Sequence, residues 1–382
     1  MIVGIPKETF PGENRVAIVP STVPSLQKAG FIVHIESGAG LKAGFPDKLY
    51  EDQGVVISDR VEVFAKANVL LQIRAIGTNP ETDSDDIKAL KEGQTVIGLI
   101  DALTNANAVK SLASSKVKAF ALELVPRITR AQAMDVLSSQ ANLAGYKAAL
   151  IAADSMPRIF PMMMTAAGTI TPARVLVIGA GVAGLQAIAT CNRLGSIVSA
   201  YDIRPAVKEQ VQSLGAKFVE LELETTEAED KGGYAKAMDE EFYKKQRELM
   251  AKVVAENDAV ISTAAIPGKK APILITEEMV ASMKPGSVIV DLAAESGGNC
   301  ESTIAGETVD KDGVKIIGPV NVPSRVPYHA SQMYAKNISN LLLLMVKEEE
   351  INIDLEDEIL KESLVTDGGN VVNERVKESL GL

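Results

Sequence analysis

Short runs of β-branched and apolar residues alternate with longer stretches of helical periodicity from one end of the chain to the other. The runs predict strands at Ile2–Ile5, Phe31–Ile35, Val69–Ile73, Thr95–Ile100, Val117–Ala121, Arg174–Ile178, Ile197–Tyr201, Lys217–Val219, Ala259–Ser262, Val288–Asp291 and Lys315–Ile317. Between them, apolar positions recur at helical spacing in Ser21–Ala29, Asn107–Ser114, Leu185–Leu194 and Glu277–Met283. This alternation implies βαβ units and mainly parallel sheets covered on both faces. No repeat of fixed period occurs, which excludes a solenoid.

Two longer helical stretches, Asp135–Ala153 and Ser331–Lys347, flank the βαβ block that lies between them. Such a pair predicts a discontinuous first domain, residues 1–138 with 326–382, and a second domain, residues 139–325, inserted into it. The fold class expected is therefore α/β, with two Rossmann-like parallel-sheet domains joined by long helices. After Lys347 the charge density rises and Gly368-Gly369 follows, so short strands and turns on the surface are expected there.

Composition narrows the picture. A length of 382 residues suggests two or three domains, each large enough for a core. Hydrophobic residues at 46% and charged ones at 23% match a globular chain and argue against disorder. The net charge of −11, with no basic cluster interrupting it, argues against nucleic acid as a partner. Cys191 and Cys300 are too few for a disulfide framework, which points to a reducing compartment. With only two histidines, His34 and His329, acid–base or metal chemistry that needs a His cluster is constrained. The longest apolar candidate, Leu341–Val346, falls short of the roughly 18–20 residues of a membrane span and runs into Lys347 and three glutamates. Met1-Ile2-Val3-Gly4-Ile5-Pro6 reads as a first strand rather than a signal or transit peptide.

The strongest chemical signal is the stretch from Arg174 to Ala189, where a β-branched strand runs into Gly179-Ala180-Gly181-Val182-Ala183-Gly184 and then a helix pattern. Gly179 allows a tight turn, Gly181 lets backbone approach a pyrophosphate, and Gly184 lets the helix pack on the strand with its N-terminal amides facing the anion. The next strand ends at Tyr201, and Asp202 stands 18 residues after Gly184. An acid there accepts from a ribose 2′-OH and repels a 2′-phosphate, favouring NAD over NADP, while Arg204 nearby could instead accept the phosphate. A second glycine group, Gly38-Ala39-Gly40 with Gly44, has the wrong spacing and reads as a plain loop. Met162-Met163-Met164 reads as adaptable core.

Other motifs carry a family resemblance. Pro126-Arg127-Ile128-Thr129-Arg130-Ala131-Gln132-Ala133-Met134-Asp135, with Ser138-Ser139-Gln140-Ala141-Asn142 and Gly145-Tyr146 after it, resembles the NAD(H)-binding domain I of proton-translocating transhydrogenases. So do Phe160–Thr169, Gly232-Gly233-Tyr234-Ala235-Lys236, Asn321–Arg325, Gly4–Glu8 and Pro11–Ala17, so that the resemblance covers essentially the whole chain. Alanine dehydrogenases share the architecture and are the competing family. In that family a Lys follows the strand corresponding to Val69–Ile73 and a His lies on the strand corresponding to Thr95–Ile100. Here the positions read Gln72-Ile73-Arg74 and Gly98-Leu99-Ile100-Asp101, and although Arg15 of the shared pattern is kept, the proton acceptor is missing.

The resemblance implies a subunit that binds NAD(H), with NADP(H) on the beta subunit, hydride passing directly between them, and no metal. It implies a homodimer docked with membrane-spanning subunits on the cytoplasmic side of a bacterial inner membrane, and a Re/Si-specific, proton-translocating reaction. Direct transfer needs aligned nicotinamide rings rather than an acid or base, which suits a chain so poor in histidine. By the same resemblance Arg127, Gln132, Asp135 and Tyr234 serve the reaction. Ile128, Thr129, Arg130, Ser138, Ala180, Val182, Ile203, Gly233, Gln246 and Ala265 join Arg127, Gln132, Tyr234, Gly179, Gly181, Gly184, Asp202 and Arg204 in binding the nucleotide. Taken alone, Arg127 with Asp135 is a structural ion pair and Gln132 a solvated loop residue. The segment Glu220–Lys231 holds six carboxylates and leads to Gly232-Gly233-Tyr234, a lid in the family, where the glycines supply hinge freedom. Two other readings remain open: an alanine dehydrogenase-like oxidoreductase, and a non-catalytic NADH-sensing subunit.

Overall fold

The computed structural model describes residues 1–79, 83–221, 240–266 and 268–381. It divides into two compact units, Met1–Gln140 with Ser324–Leu382, and Ala141–Pro323. The first division falls inside the helix Val136–Ser155.

The first unit is built on an eight-stranded sheet. Its order runs Asn370–Val371, Leu364–Asp367, Lys118–Ala121, Thr95–Leu99, Val69–Arg74, Ile2–Ile5, Ile32–Glu36, Val56–Ser58. The six strands from Lys118–Ala121 onward are parallel, and the two C-terminal ones add antiparallel. Alternate residues of the inner strands feed different cores: Val69, Leu71 and Ile73 pack with Val3 and Ile5, while Leu70 and Val96 pack with Val63, Leu112 and Ala119. Burial on both faces is why these strands read as unbroken apolar runs. The helix Pro327–Leu344 supplies Tyr334, Ala335, Ile338, Leu341 and Leu342 to the first of these cores. Their spacing forms one helical stripe. The leucine run is thus core, and among the described residues no helix is long and apolar enough to cross a membrane.

The second unit has a seven-stranded sheet ordered Lys217–Phe218, Ile197–Tyr201, Arg174–Ile178, Ala259–Ser262, Val288–Asp291, Val314–Ile317, Thr308–Lys311. All neighbours are parallel except the last pair. The chain starts in the middle, steps outward to Lys217–Phe218, then crosses to the far side of its first strand. The strand order therefore reverses between Arg174–Ile178 and Ala259–Ser262, the position where open α/β sheets bind ligands.

The Ala-rich part of the helix Val136–Ser155 packs Ala148, Ala149 and Ala152 against Ala187, Ile188 and Cys191. The approach is close enough that a Cβ on Gly145 would lie 2.0 Å from the Ala183 carbonyl oxygen.

Four features depart from the sequence reading. Met163–Thr165 and Gly168–Ile170 form an exposed hairpin, with Met162 and Met164 59% and 76% accessible, so the methionine run is surface and not core. The tail is not confined to the surface, because Leu364 and Val365 are buried and extend the first sheet. The helix Glu240–Ala255 was hidden by its charge; its buried positions Gln246, Met250 and Val254 share one face of an otherwise polar surface helix. The short pair Val56–Ser58 and Thr308–Lys311 sit at sheet edges, where exposed positions break the apolar run.

Candidate functional site

In the second unit the strand Arg174–Ile178 delivers Gly179 at the reversal point, and the helix Val182–Arg193 starts shortly after it with Gly181 as its N-cap. Each glycine has its own reason. Gly179 has φ +92°, and a Cβ on it would sit 2.7 Å from Thr263 Oγ1. A Cβ on Gly184 would lie 1.8 Å from the Gly179 carbonyl oxygen. Gly181 is extended, and its missing side chain faces open space with no heavy atom within 4 Å. Two glycines are thus demanded by packing and the third leaves a cradle, as a diphosphate against the helix N-terminus requires.

Across the reversal, Ser262 passes into Thr263-Ala264-Ala265. Thr263 ties this segment to the glycine loop, its amide donating to the Ile178 carbonyl at 2.8 Å and its hydroxyl to the Gly179 carbonyl at 2.9 Å. Ala265 is exposed and offers only backbone and a methyl group.

Asp202 follows the neighbouring strand and is buried. One of its oxygens accepts from the Arg204 amide and Arg204 Nε, both at 2.9 Å. The other accepts from the Ala180 amide at 2.7 Å and from Arg204 Nη2 at 2.8 Å. Four donors fill the usual capacity of a carboxylate, so a ribose hydroxyl must share an oxygen or displace a guanidinium nitrogen. The pair also commits Arg204 to Asp202 rather than to a 2′-phosphate. Val182 opens the helix and Ile203 lies half-buried between Asp202 and Arg204.

Gln246 reaches this corner from the helix Glu240–Ala255. Its Nε2 donates to Tyr201 Oη at 2.7 Å, while its buried Oε1 has no partner among the described residues. Burial pushes the Tyr201 phenol up to about 12. A vacant acceptor and an open cradle on the same sheet end are features a bound nucleotide would fill, so the residues present fit that group. Gly232, Gly233 and Tyr234 lie outside the described residues. A groove of about 520 Å³ lined by Lys244, Arg247, Ala251 and Met279 contains none of the predicted site residues.

In the first unit the loop after Leu124 carries the other group. Arg127 Nε lies 3.7 Å from Asp135 Oδ2, and Arg127 Nη2 donates to Ser138 Oγ at 3.2 Å. The Ser138 amide and hydroxyl both donate to Asp135, at 2.8 and 2.6 Å. Asp135 thereby holds the start of the helix Val136–Ser155 and fixes Arg127 together with Ser138. Arg130 is used otherwise: it clasps Asp357 through two bonds of 2.6 and 2.8 Å. Ile128 is half-buried, packed against the core, while Thr129 and Gln132 lie exposed on the 3-10 turn Thr129–Met134. The Gln132 carbonyl accepts from the Asp135 amide at 3.3 Å, but its side-chain amide has no partner among the described residues and so is not needed to build the loop.

Arg15 is buried in a bidentate pair with Glu13, at 2.8 and 2.7 Å, and donates to Gln140 Oε1 at 2.9 Å. Arg74 pairs with Asp101 at 3.1 Å and lies over the Phe10 ring at 4.9 Å. His34 is buried beside Ser58, and burial lowers its pKa, while His329 is exposed. Burial also pushes the Cys191 and Cys300 thiols up to about 12 and about 11, leaving no thiolate nucleophile.

Sequence reasoning missed two partly buried carboxyls. Glu8 accepts from the Ile73 and Arg74 amides at 2.7 and 3.1 Å, and burial, with Glu13 adding like charge, raises it to about 8. Glu123 accepts from the Ala102 amide at 3.0 Å and is raised by burial to about 7. It also missed Asp291 and Asn299, fully buried polar residues of the second unit. The one available signal was an acid closing an apolar strand ahead of Gly297-Gly298.

Comparison with known proteins places these features in a family. Residues 4–144 match the model of the alanine dehydrogenase/PNT N-terminal domain, and residues 148–374 that of the C-terminal domain. The chain is 50% identical over 377 residues to the first portion of NAD(P) transhydrogenase subunit alpha from Rhodospirillum rubrum, covering 98% of each. It is 28% identical over 391 residues to alanine dehydrogenase of Bacillus subtilis, covering 100% of this chain and 95% of the other. The crystal structure of transhydrogenase from Sinorhizobium meliloti superposes with a TM-score of 0.88 at 46% identity, over 97% of this chain and 100% of that one.

Proposed function

This chain belongs to the alanine dehydrogenase/PNT family, and on that premise we propose that it is the NAD(H)-binding subunit of a proton-translocating transhydrogenase. In this reading a hydride passes, with Re/Si specificity, between NADH on this chain and NADP⁺ on the beta subunit, and membrane-spanning subunits couple the transfer to proton movement. The chain works as a homodimer on the cytoplasmic side of a bacterial inner membrane, with the exposed hairpin Met163–Ile170 as the apolar surface on which two copies meet.

The observation that carries the reading is the chemistry at two strand ends of the first unit. Where the resemblance places the lysine and histidine of an amino-acid dehydrogenase, this chain has Arg74, engaged with Asp101 and Phe10, and Leu99, which is apolar. Neither side chain takes a proton from an amino acid at neutral pH. The groups that remain bind and orient. The glycine loop and Asp202 hold the nucleotide. Arg127, fixed by Asp135 and Ser138, holds its loop in shape, and Gln132 presents an uncommitted amide to the reacting nicotinamides. Tyr234 and Gly233, outside the described residues, correspond to the segment that in the family closes over the bound nucleotide.

The test mixes the full chain with an NADP(H)-binding transhydrogenase domain and follows hydride exchange between NADH and an NADP⁺ analogue. Exchange is expected with the partner and not without it. Alanine-dependent NADH formation by the chain alone overturns the reading in favour of an amino-acid dehydrogenase. NADH binding without exchange overturns it in favour of a sensing subunit.

A further inference from the structure

The segment Thr263-Ala264-Ala265 faces a physical difficulty. Past Thr263, whose amide donates to the Ile178 carbonyl at 2.8 Å, Ala264 and Ala265 lie beyond the last paired residue of the strand Ala259–Ser262, and two alanines supply no side-chain bonds of their own. Thr263 secures one side through Gly179. The other side is secured by a single buried residue: Asn299 Oδ1 accepts from the Ala264 amide at 3.1 Å, and Asn299 Nδ2 donates to the Ala264 carbonyl at 2.8 Å and to the Pro272 carbonyl at 2.9 Å. A side-chain amide thus pairs with Ala264 as an adjacent strand would, satisfying its donor and acceptor together.

Asn299 is itself immobilised. Its carbonyl accepts from the Leu274 and Ile275 amides at 2.8 and 3.0 Å. Its amide donates to Asp291 Oδ2 at 2.7 Å, and the same oxygen accepts from the Cys300 amide at 3.0 Å and Thr303 Oγ1 at 2.7 Å. Asp291 Oδ1 accepts from Ser262 Oγ at 2.9 Å and the Ala293 amide at 3.0 Å. Five bonds to one buried carboxylate leave it little freedom, and Ser262 links it back to the residue before Thr263. Gly298, with φ +80°, precedes Asn299, and a Cβ there would come within 3.0 Å of Asp291 Oδ2.

We propose that Asn299, anchored by Asp291, is a positioning residue for nucleotide binding: it fixes the Ala264–Ala265 backbone in the place from which Ala265 faces the bound nicotinamide nucleotide. The assignment rests on the nucleotide-binding reading given above. Asn299 touches no nucleotide; it acts through Ala264.

The test uses the full chain and NADH as the probe. Asn299→Asp keeps the shape but sets an oxygen against the Ala264 and Pro272 carbonyls. The expected result is an NADH Kd raised by about tenfold or more, equivalent to about 1.4 kcal/mol. With the partner domain, KM for NADH rises in parallel while kcat at saturation stays within about threefold. Asn257→Ala is the structural comparison, since among the described residues its side chain donates to the Val253 carbonyl at 2.7 Å and to nothing else; it lowers Tm without moving Kd. Should Asn299→Asp not fold, Asn299→Ser is judged by the same titration. A Kd within about twofold of wild type in a folded Asn299 variant, whatever its Tm, overturns the assignment. Failure of the wild-type chain to bind NADH overturns the functional reading instead, and the assignment with it.

Discussion

Gly181 and Gly184 separate binding from folding within one loop, and Gly181→Ala tests that separation. At Gly181 the backbone is extended, φ −76° and ψ −167°, which any residue adopts, and an added Cβ meets nothing within 4 Å. The unliganded protein should therefore keep its stability or gain roughly 0.4–1 kcal/mol from the reduced freedom of the unfolded chain. For a unit of this size that corresponds to a Tm change of about 0 to +4 °C. Binding should suffer, because the methyl group occupies space that a diphosphate needs to reach the helix amides. Losing one hydrogen bond to a charged group costs about 1.5–3 kcal/mol, so the NADH Kd should rise by about 10- to 100-fold. Gly184→Ala is the opposite case: its Cβ would stand 1.8 Å from the Gly179 oxygen, and overpacking costs about 1–3 kcal/mol, so Tm falls by several degrees even without ligand. Melting curves without nucleotide and NADH fluorescence titrations decide between them. Gly181→Ala that binds NADH like wild type, or that destabilises as much as Gly184→Ala, would refute the reasoning.

Other parts of the chain carry three further predictions. Gln132→Asn removes reach from an exposed residue that builds nothing, so hydride exchange should slow strongly while Tm and NADH affinity stay near wild type; a large affinity loss would contradict a role confined to orientation. Glu8 is raised to about 8 in the folded chain against an ordinary 4.5, so the native state holds a proton that the unfolded state has released. Stability from this group is greatest below about pH 4.5 and declines as pH rises to about 8, with Glu123 adding to the decline up to about 7. Glu8→Gln should match wild type in Tm near pH 4.5 and exceed it increasingly toward pH 8; a difference independent of pH would contradict the assignment. Met164→Asp places a charge on a side chain that is 76% exposed, so light scattering should show dissociation of the proposed dimer with Tm of the separated chain nearly unchanged; a dimer that stays intact would place the contact elsewhere.

The sequence by itself determined the elements whose pattern is local. Ile2–Ile5, Arg174–Ile178, Ile197–Tyr201, Ala259–Ser262 and Val288–Asp291 form with the bounds their apolar runs predict, because strands buried on both faces leave an uninterrupted signal. The glycine fingerprint was equally legible, since the strand, turn and helix that demand it are consecutive in the chain. The helix Glu240–Ala255 was not, because only a narrow face of it is buried and charge covers the rest. The methionine hairpin misled for the converse reason: apolar residues report burial only when a core is present to bury them, and Met162–Met164 meets solvent.

What only the tertiary structure decided were the partners of individual polar side chains. Asp202 is legible as an acid at the strand end, but its engagement by Arg204 and the Ala180 amide is not. Arg130 lies in the same motif as Arg127, yet it spends its guanidinium on Asp357, 227 residues away. Asn299 is one polar letter among many until folding sets it against Ala264, 35 residues earlier in the chain. The physical reason is common to all three. A hydrophobic period is written along the chain, whereas a buried polar side chain takes its meaning from whichever donor or acceptor the fold brings within about 3 Å.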